Sequence, residues 1–74
     1  MTDVPVRGGQ IALGQLLKLA GAVESGGAAR AFLASGQVRV NGEVDVRRGR
    51  KLVAGDRVEI AGADPLRVTV EDPS

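Results

Sequence analysis

The chain contains no cysteine, histidine, tryptophan or tyrosine, and a single phenylalanine, Phe32, among 74 residues. Each absence closes a class of chemistry. Without thiols there are no disulfides, thiolate metal sites or cysteine nucleophiles. An extracellular protein this short ordinarily needs such staples, so a reducing cytoplasm is expected. Without imidazole, the usual agent of zinc binding, of Ser/His/Asp catalysis and of proton shuttling near neutral pH is missing. No enzyme activity, cofactor or metal is therefore expected. With one aromatic ring the core must be built from Leu, Val, Ile and Ala, and no aromatic surface is offered to a stacked base or cofactor. No apolar run approaches the ~20 residues of a membrane span. The opening Met1-Thr2-Asp3-Val4-Pro5 is acidic and proline-broken, which does not read as a secretion signal.

What is present is a chain sized for one domain, 1–74, with 43% hydrophobic residues. At this size only about 60% of the unfolded surface can be buried. The net charge of +1 conceals an uneven distribution. Residues 28–52 hold six basic side chains against two acidic ones, a local +4, while the remainder holds four against seven, a local −3. A polyanion-binding protein that must stay soluble would be arranged in this way.

The first ten residues read as a loose arm, with a short strand near Gln10 and Ile11. Leu13, Leu16, Leu17 and Ala20 then recur at i, i+3, i+4 and i+7, which predicts one buried helix face, with Lys18 projecting off it and Gly21 as the stop. A second helix is predicted from Ser25, whose hydroxyl can cap the next turn, to Gly36, with Ala29, Phe32 and Leu33 inward. Gly26-Gly27 at its start fits two readings: a flexible entry, or a turn kept bare so that a phosphate can reach the amides.

From Val38 the period becomes two. Val38 and Val40 alternate with Arg39 and Asn41, Val44 and Val46 alternate with Asp45 and Arg47, and Asn41-Gly42 signals a hairpin. A two-residue loop would set Val40 against Glu43, so a bulged or three-residue turn that keeps the valines together is expected. Leu52 and Val53 lead to a Gly55-Asp56 turn; Val58 and Ile60, a break at Gly62 to Pro65, and Leu66, Val68 and Val70 then read as two more half-buried strands, a second hairpin. Asp72-Pro73-Ser74 reads as tail.

The sharpest local signal is Arg47-Arg48-Gly49-Arg50-Lys51. Four cations in five positions repel one another, and three are the arginines suited to forked phosphate contact. Read from charge alone, this loop is either a phosphate-binding surface or a solvated run that folding does not need. Arg39 either extends the patch or pairs across the hairpin with Asp45 or Glu43. Arg30 either joins the patch or solvates its helix, and Asn41 and Gly42 read first as turn formers. No phosphate-loop or dinucleotide fingerprint is present.

The ordered string Ile11, Leu13, Gln15 to Lys18, Gly21, Ser25-Gly26-Gly27, Ala29-Arg30, Gly36, Val38, Val40-Asn41-Gly42, Arg47-Arg48, Lys51-Leu52, Gly55-Asp56 and Val58 resembles the RNA-binding domain named after the fourth protein of the small ribosomal subunit. The resemblance to this S4-like domain, or αL motif, covers residues 10–61 and is nearest to the short stand-alone bacterial proteins of the YbcJ type. It implies an α+β fold with two N-terminal helices packed on a small, mostly antiparallel sheet. It further implies an RNA face made by helix two, the first hairpin and the following loop, with Lys18, Ser25, Arg30, Arg39, Asn41, Arg47, Arg48, Arg50 and Lys51 as the contacting residues. The partner implied is structured RNA, ribosomal or transfer, met in ribosome assembly or translation together with a ribosomal or RNA-processing protein. The broader domain usually carries Ser-Arg where this chain has Ser25-Gly26, so one expected contact is absent.

Two other functions compete. Val40-Asn41-Gly42-Glu43 followed by Gly55-Asp56-Arg57-Val58-Glu59-Ile60 is also similar to β-grasp sulfur carriers, which act through a C-terminal Gly-Gly; the sequence reads Asp72-Pro73-Ser74 there and places two helices before the hairpin. A protein-interaction module docking on an acidic partner could use the same cations.

Overall fold

The computed structural model describes residues 1–71, and the Asp72-Pro73-Ser74 tail lies outside the described residues. In chain order the elements are strand β1 (Thr2–Val6), a 3-10 turn (Arg7–Gly9), β2 (Gln10–Ala12), helix α1 (Leu13–Leu19), helix α2 (Gly26–Ala34), β3 (Val38–Val40), β4 (Glu43–Val44), β5 (Lys51–Val53), β6 (Arg57–Ile60) and β7 (Leu66–Val70). Five strands form one sheet in the order β1-β7-β6-β3-β4, and β2 pairs with β5 in a second, two-stranded sheet. All pairings are antiparallel except β1 with β7. This is the α+β arrangement expected, two helices on a small, mostly antiparallel sheet.

The period-two and period-3.6 residues meet in one apolar cluster. Leu13, Leu16 and Leu17 of α1 and Ala29 and Leu33 of α2 are buried with Val38, Val40, Leu52, Val58 and Val68 of the strands. No helix among the described residues is long and apolar enough to cross a membrane. Ser25 caps α2 as expected, its hydroxyl accepting from the Ala28 N–H at 3.1 Å. Gly21, at φ +78°, follows the end of α1.

Four expectations are corrected. The N-terminal arm is a strand: β1 runs parallel to β7, with Val4 beside Val68 and Val6 beside Val70. Pro5 disguises it, because proline argues against a strand unless it lies on an edge. Here the Thr2 N–H and the Val6 carbonyl are the groups directed at the β7 side, so alternation turns the Pro5 nitrogen to the open edge. Ala20 is exposed, because α1 ends a residue earlier and Ala20 is its C-cap. Phe32 is half-buried and packs on the margin of the core instead of inside it.

The fourth correction matters most for the site. The first hairpin has a two-residue loop, with Val40 opposite Glu43 and Arg39 opposite Val44. Asn41 and Gly42 both take positive φ, +52° and +90°, as a type I′ turn requires. The tight turn prevails over the valine pattern. Val44 and Val46 face outward, 52% and 56% exposed, and Asp45 takes the core-facing place opposite Val38, whose carbonyl accepts its N–H at 3.1 Å.

Candidate nucleic-acid interface

Asp45, 5% exposed, organises the segment that follows it. Its Oδ1 accepts from the Arg47 backbone N–H at 2.9 Å and from Arg47 Nε at 3.2 Å. Its Oδ2 accepts from Arg47 Nη2 at 2.9 Å and from Arg50 Nη1 at 2.7 Å. The side-chain bond from Arg47 holds the Asp45 carboxyl well below the usual carboxylate range against the opposing effect of burial, with Arg50 and the Arg47 backbone adding to it. The same bond raises Arg47 above the ordinary guanidinium value. Two of the four cations in the loop are thus accounted for by a buried carboxylate. The idea that four cations in five positions serve no folding purpose is corrected for Arg47 and Arg50, whose side chains are 69% and 30% exposed.

The loop also finishes a helix. Ala12, at the N-cap of α1, provides no side-chain cap. Instead the Leu13 N–H donates to the Arg50 carbonyl at 2.8 Å and the Gly14 N–H to the Arg48 carbonyl at 2.9 Å. Two of the four amides that every helix start leaves without a partner are satisfied in this way. Gly14 makes the close approach possible: a Cβ there would lie 2.4 Å from Arg48 Cγ. The Arg48 side chain passes over this bare spot, and its Nη1 comes 3.5 Å from the Gly26 carbonyl in the first turn of α2.

The result is a shallow depression of about 330 Å³ where the starts of both helices meet the loop, bordered by Gly14, Gln15, Lys18, Gly26, Arg48 and Gly49. Lys18 and Arg48 supply positive charge, and no carboxylate is on its border.

The other expected residues are distributed unevenly around it. Ser25 stands at the start of α2, but its hydroxyl is committed to the cap. Arg30 is exposed on α2, and Lys51 is exposed on β5 opposite Ala12. Arg39 is on the solvent side of β3 between Val44 and Glu59, so neither Asp45 nor Glu43 faces it across the strands. Asn41 is tied into the scaffold: its Nδ2 donates to Asp56 Oδ1 at 3.1 Å and its Oδ1 accepts from the Arg57 N–H at 3.0 Å. Among the described residues, Lys18, Arg30, Arg39, Arg48 and Lys51 form no ion pair.

Sequence reasoning missed Asp45, Gly14 and Gln15. Asp45 was detectable, since the two-residue reading of Asn41-Gly42 turns it inward, where a carboxylate needs cationic partners nearby. Gly14 carried no such signal.

The model of the S4 domain matches residues 4–69. The chain belongs to the S4 domain family. Among its curated relatives, the probable ribosome maturation protein RlbA of Bacillus subtilis is 55% identical over 58 residues, covering 78% of this chain and 82% of RlbA. YbcJ of Escherichia coli, provisionally named an RNA-binding protein, is 48% identical over 52 residues, covering 70% of this chain and 74% of YbcJ. The match to the S4 domain takes in residues 4–6 of β1 and 66–69 of β7 as well as residues 10–61, in agreement with the strand pairing that closes the sheet.

Proposed function

We propose that this S4 domain binds structured RNA through the face around the Lys18–Arg48 depression, extended by Arg47, Arg50, Lys51 and Arg30, with Arg39 and Ser25 at its margins. The single domain, 1–74, would act in the cytoplasm. The observation that carries this reading is the junction itself, where two helix starts and the basic loop come together around cations that have no carboxylate partner. Ribosomal RNA is the favoured target, since a relative covering most of this chain is named for ribosome maturation; transfer RNA presents the same chemistry. A role in ribosome assembly follows from that preference.

Recognition by shape is favoured over stacking. Single-strand binders gain roughly 1–3 kcal/mol per base by stacking on aromatic side chains. The sole ring, Phe32, borders a different groove with Ala22, Val23, Ala28 and Ala31, where the charged side chain is Glu24. No cation lines that groove. Phosphates and 2′-hydroxyls of a folded or duplex RNA are what the cationic face can read.

The test is a titration with an RNA hairpin at near-physiological salt, with an unstructured RNA of equal length and the matching DNA duplex as competitors. The hairpin should bind tightest. Lys18→Ala with Arg48→Ala should weaken it and reduce the salt slope by about 0.7–0.9 for each phosphate that is no longer neutralised. Equal binding of all three competitors, or an unchanged slope in the double variant, would overturn the reading. If the cations instead serve an acidic protein, the hairpin would show no advantage and capture from lysate would return protein partners without RNA.

A further inference from the structure

We infer that Asp45 is the positioning residue of this face: it fixes the direction in which Arg47 presents its guanidinium, and so sets the preference for folded RNA. The inference rests on the RNA reading above.

Asp45 grips Arg47 along one edge, through Nε and Nη2, and through the Arg47 backbone N–H as well. The opposite edge, carrying Nη1, has no hydrogen-bond partner among the described residues, and the side chain as a whole is 69% exposed. An unrestrained arginine on a surface loop samples many rotamers and loses that freedom when it binds; one already held by a second group loses less. Arg48 is restrained by different means, lying on Gly14 and reaching Gly26. Arg50, also bonded to Asp45, donates its backbone N–H to the Arg47 carbonyl at 3.2 Å and closes the turn between the two. One loop therefore carries two guanidinium groups, each held by its own restraint. Such a pair suits phosphates at a set spacing and gives little advantage on a strand whose phosphates can move to meet any cation.

Packing alone gives no reason for a carboxylate at this position. Position 45 is opposite Val38 on the core side of the hairpin, where a valine would extend the apolar face. A buried ion pair is often no more stabilising than a well-packed apolar replacement. What the carboxylate adds is orientation.

Asp45→Asn separates orientation from charge, because it raises the net positive charge by one while putting an NH2 donor where Oδ2 accepts from Arg47 Nη2 and Arg50 Nη1, which releases Arg50 and leaves Arg47 held at Nε alone along its edge. Bulk electrostatics then requires every RNA to bind more tightly. Positioning requires the opposite for the hairpin: affinity about 3- to 10-fold weaker, the scale of re-ordering one long side chain, with its advantage over the unstructured strand correspondingly reduced. Arg47→Lys provides a second variant that keeps the charge and the ion pair but not the two-point grip. It should lose the same preference with an unchanged salt slope. Both are to be measured below their melting temperatures by circular dichroism, and Arg47→Lys decides the matter if Asp45→Asn does not fold. Hairpin binding by Asp45→Asn as tight as wild type, or an intact preference in Arg47→Lys, would overturn the inference and leave the RNA reading standing. A wild-type protein that binds none of the RNAs would overturn both.

Discussion

Asp45 is the residue at which the fold and the cationic face depend on one another, and it ties the stability of the protein to pH. Its carboxyl is lowered in the folded chain by the hydrogen bonds from Arg47 and Arg50. A lowered carboxyl contributes stability that is complete above its unfolded value and is lost as pH falls toward the folded one. Wild type should therefore lose melting temperature progressively below about pH 5. Asp45→Asn should start from a lower plateau at neutral pH and show a shallower acid limb over the same range. Melting curves from pH 2 to 7 check this, and parallel acid limbs in the two proteins would remove Asp45 as the source. The same residue shows why the first hairpin was hard to read in sequence. Val38, Val40, Val44 and Val46 look like one face, and only the backbone demand of Asn41-Gly42 reverses that, at the cost of exposing two valines.

At the level of elements, both helices were legible because their apolar residues recur with the helical period and Ser25 and Gly21 mark their limits. What sequence could not show is that α1 borrows its N-terminal cap from carbonyls thirty-odd residues away, since backbone atoms of any residue type can serve. Gly14 makes this dependence measurable. Glycine inside a helix normally costs about 1 kcal/mol relative to alanine. Gly14→Ala should fail to recover that gain, because the new methyl would lie 2.4 Å from Arg48 Cγ and 3.3 Å from the Arg48 carbonyl that caps the helix. The expected result is no rise in melting temperature, with hairpin affinity reduced as far as in Arg48→Ala. A variant that is more stable and binds RNA normally would show that Arg48 does not need this route across the helix. Arg50→Met probes the same connection from the loop: leaving the buried Asp45 short of one donor should lower stability by about 1–3 kcal/mol.

For the molecule as a whole, the division of charge read from the sequence corresponds to a division of labour. The basic stretch supplies the helix-to-loop junction, while the chain ends build the far side of the main sheet, where Asp3 pairs with Arg67 at 3.3 Å. The part of the fold that sequence did not disclose is β1, because its partner β7 begins some sixty residues later and no local pattern links Val4 to Val68. Removing residues 1–6 should consequently lower the melting temperature, since Val68 and Leu66 lose their cover on one side. If β1 were a loose arm, the truncated and full chains would melt together. The parallel pairing of β1 with β7 also bears on how the chain is made. Synthesis is vectorial, so the first strand to leave the ribosome waits for the last, whereas both helices and the Asp45 loop, which need nothing beyond residue 51 for their mutual hydrogen bonds, can assemble earlier. The main sheet is then closed last, by β7, while the Asp45 loop and the helix start it caps find their mutual hydrogen-bond partners within the first 51 residues.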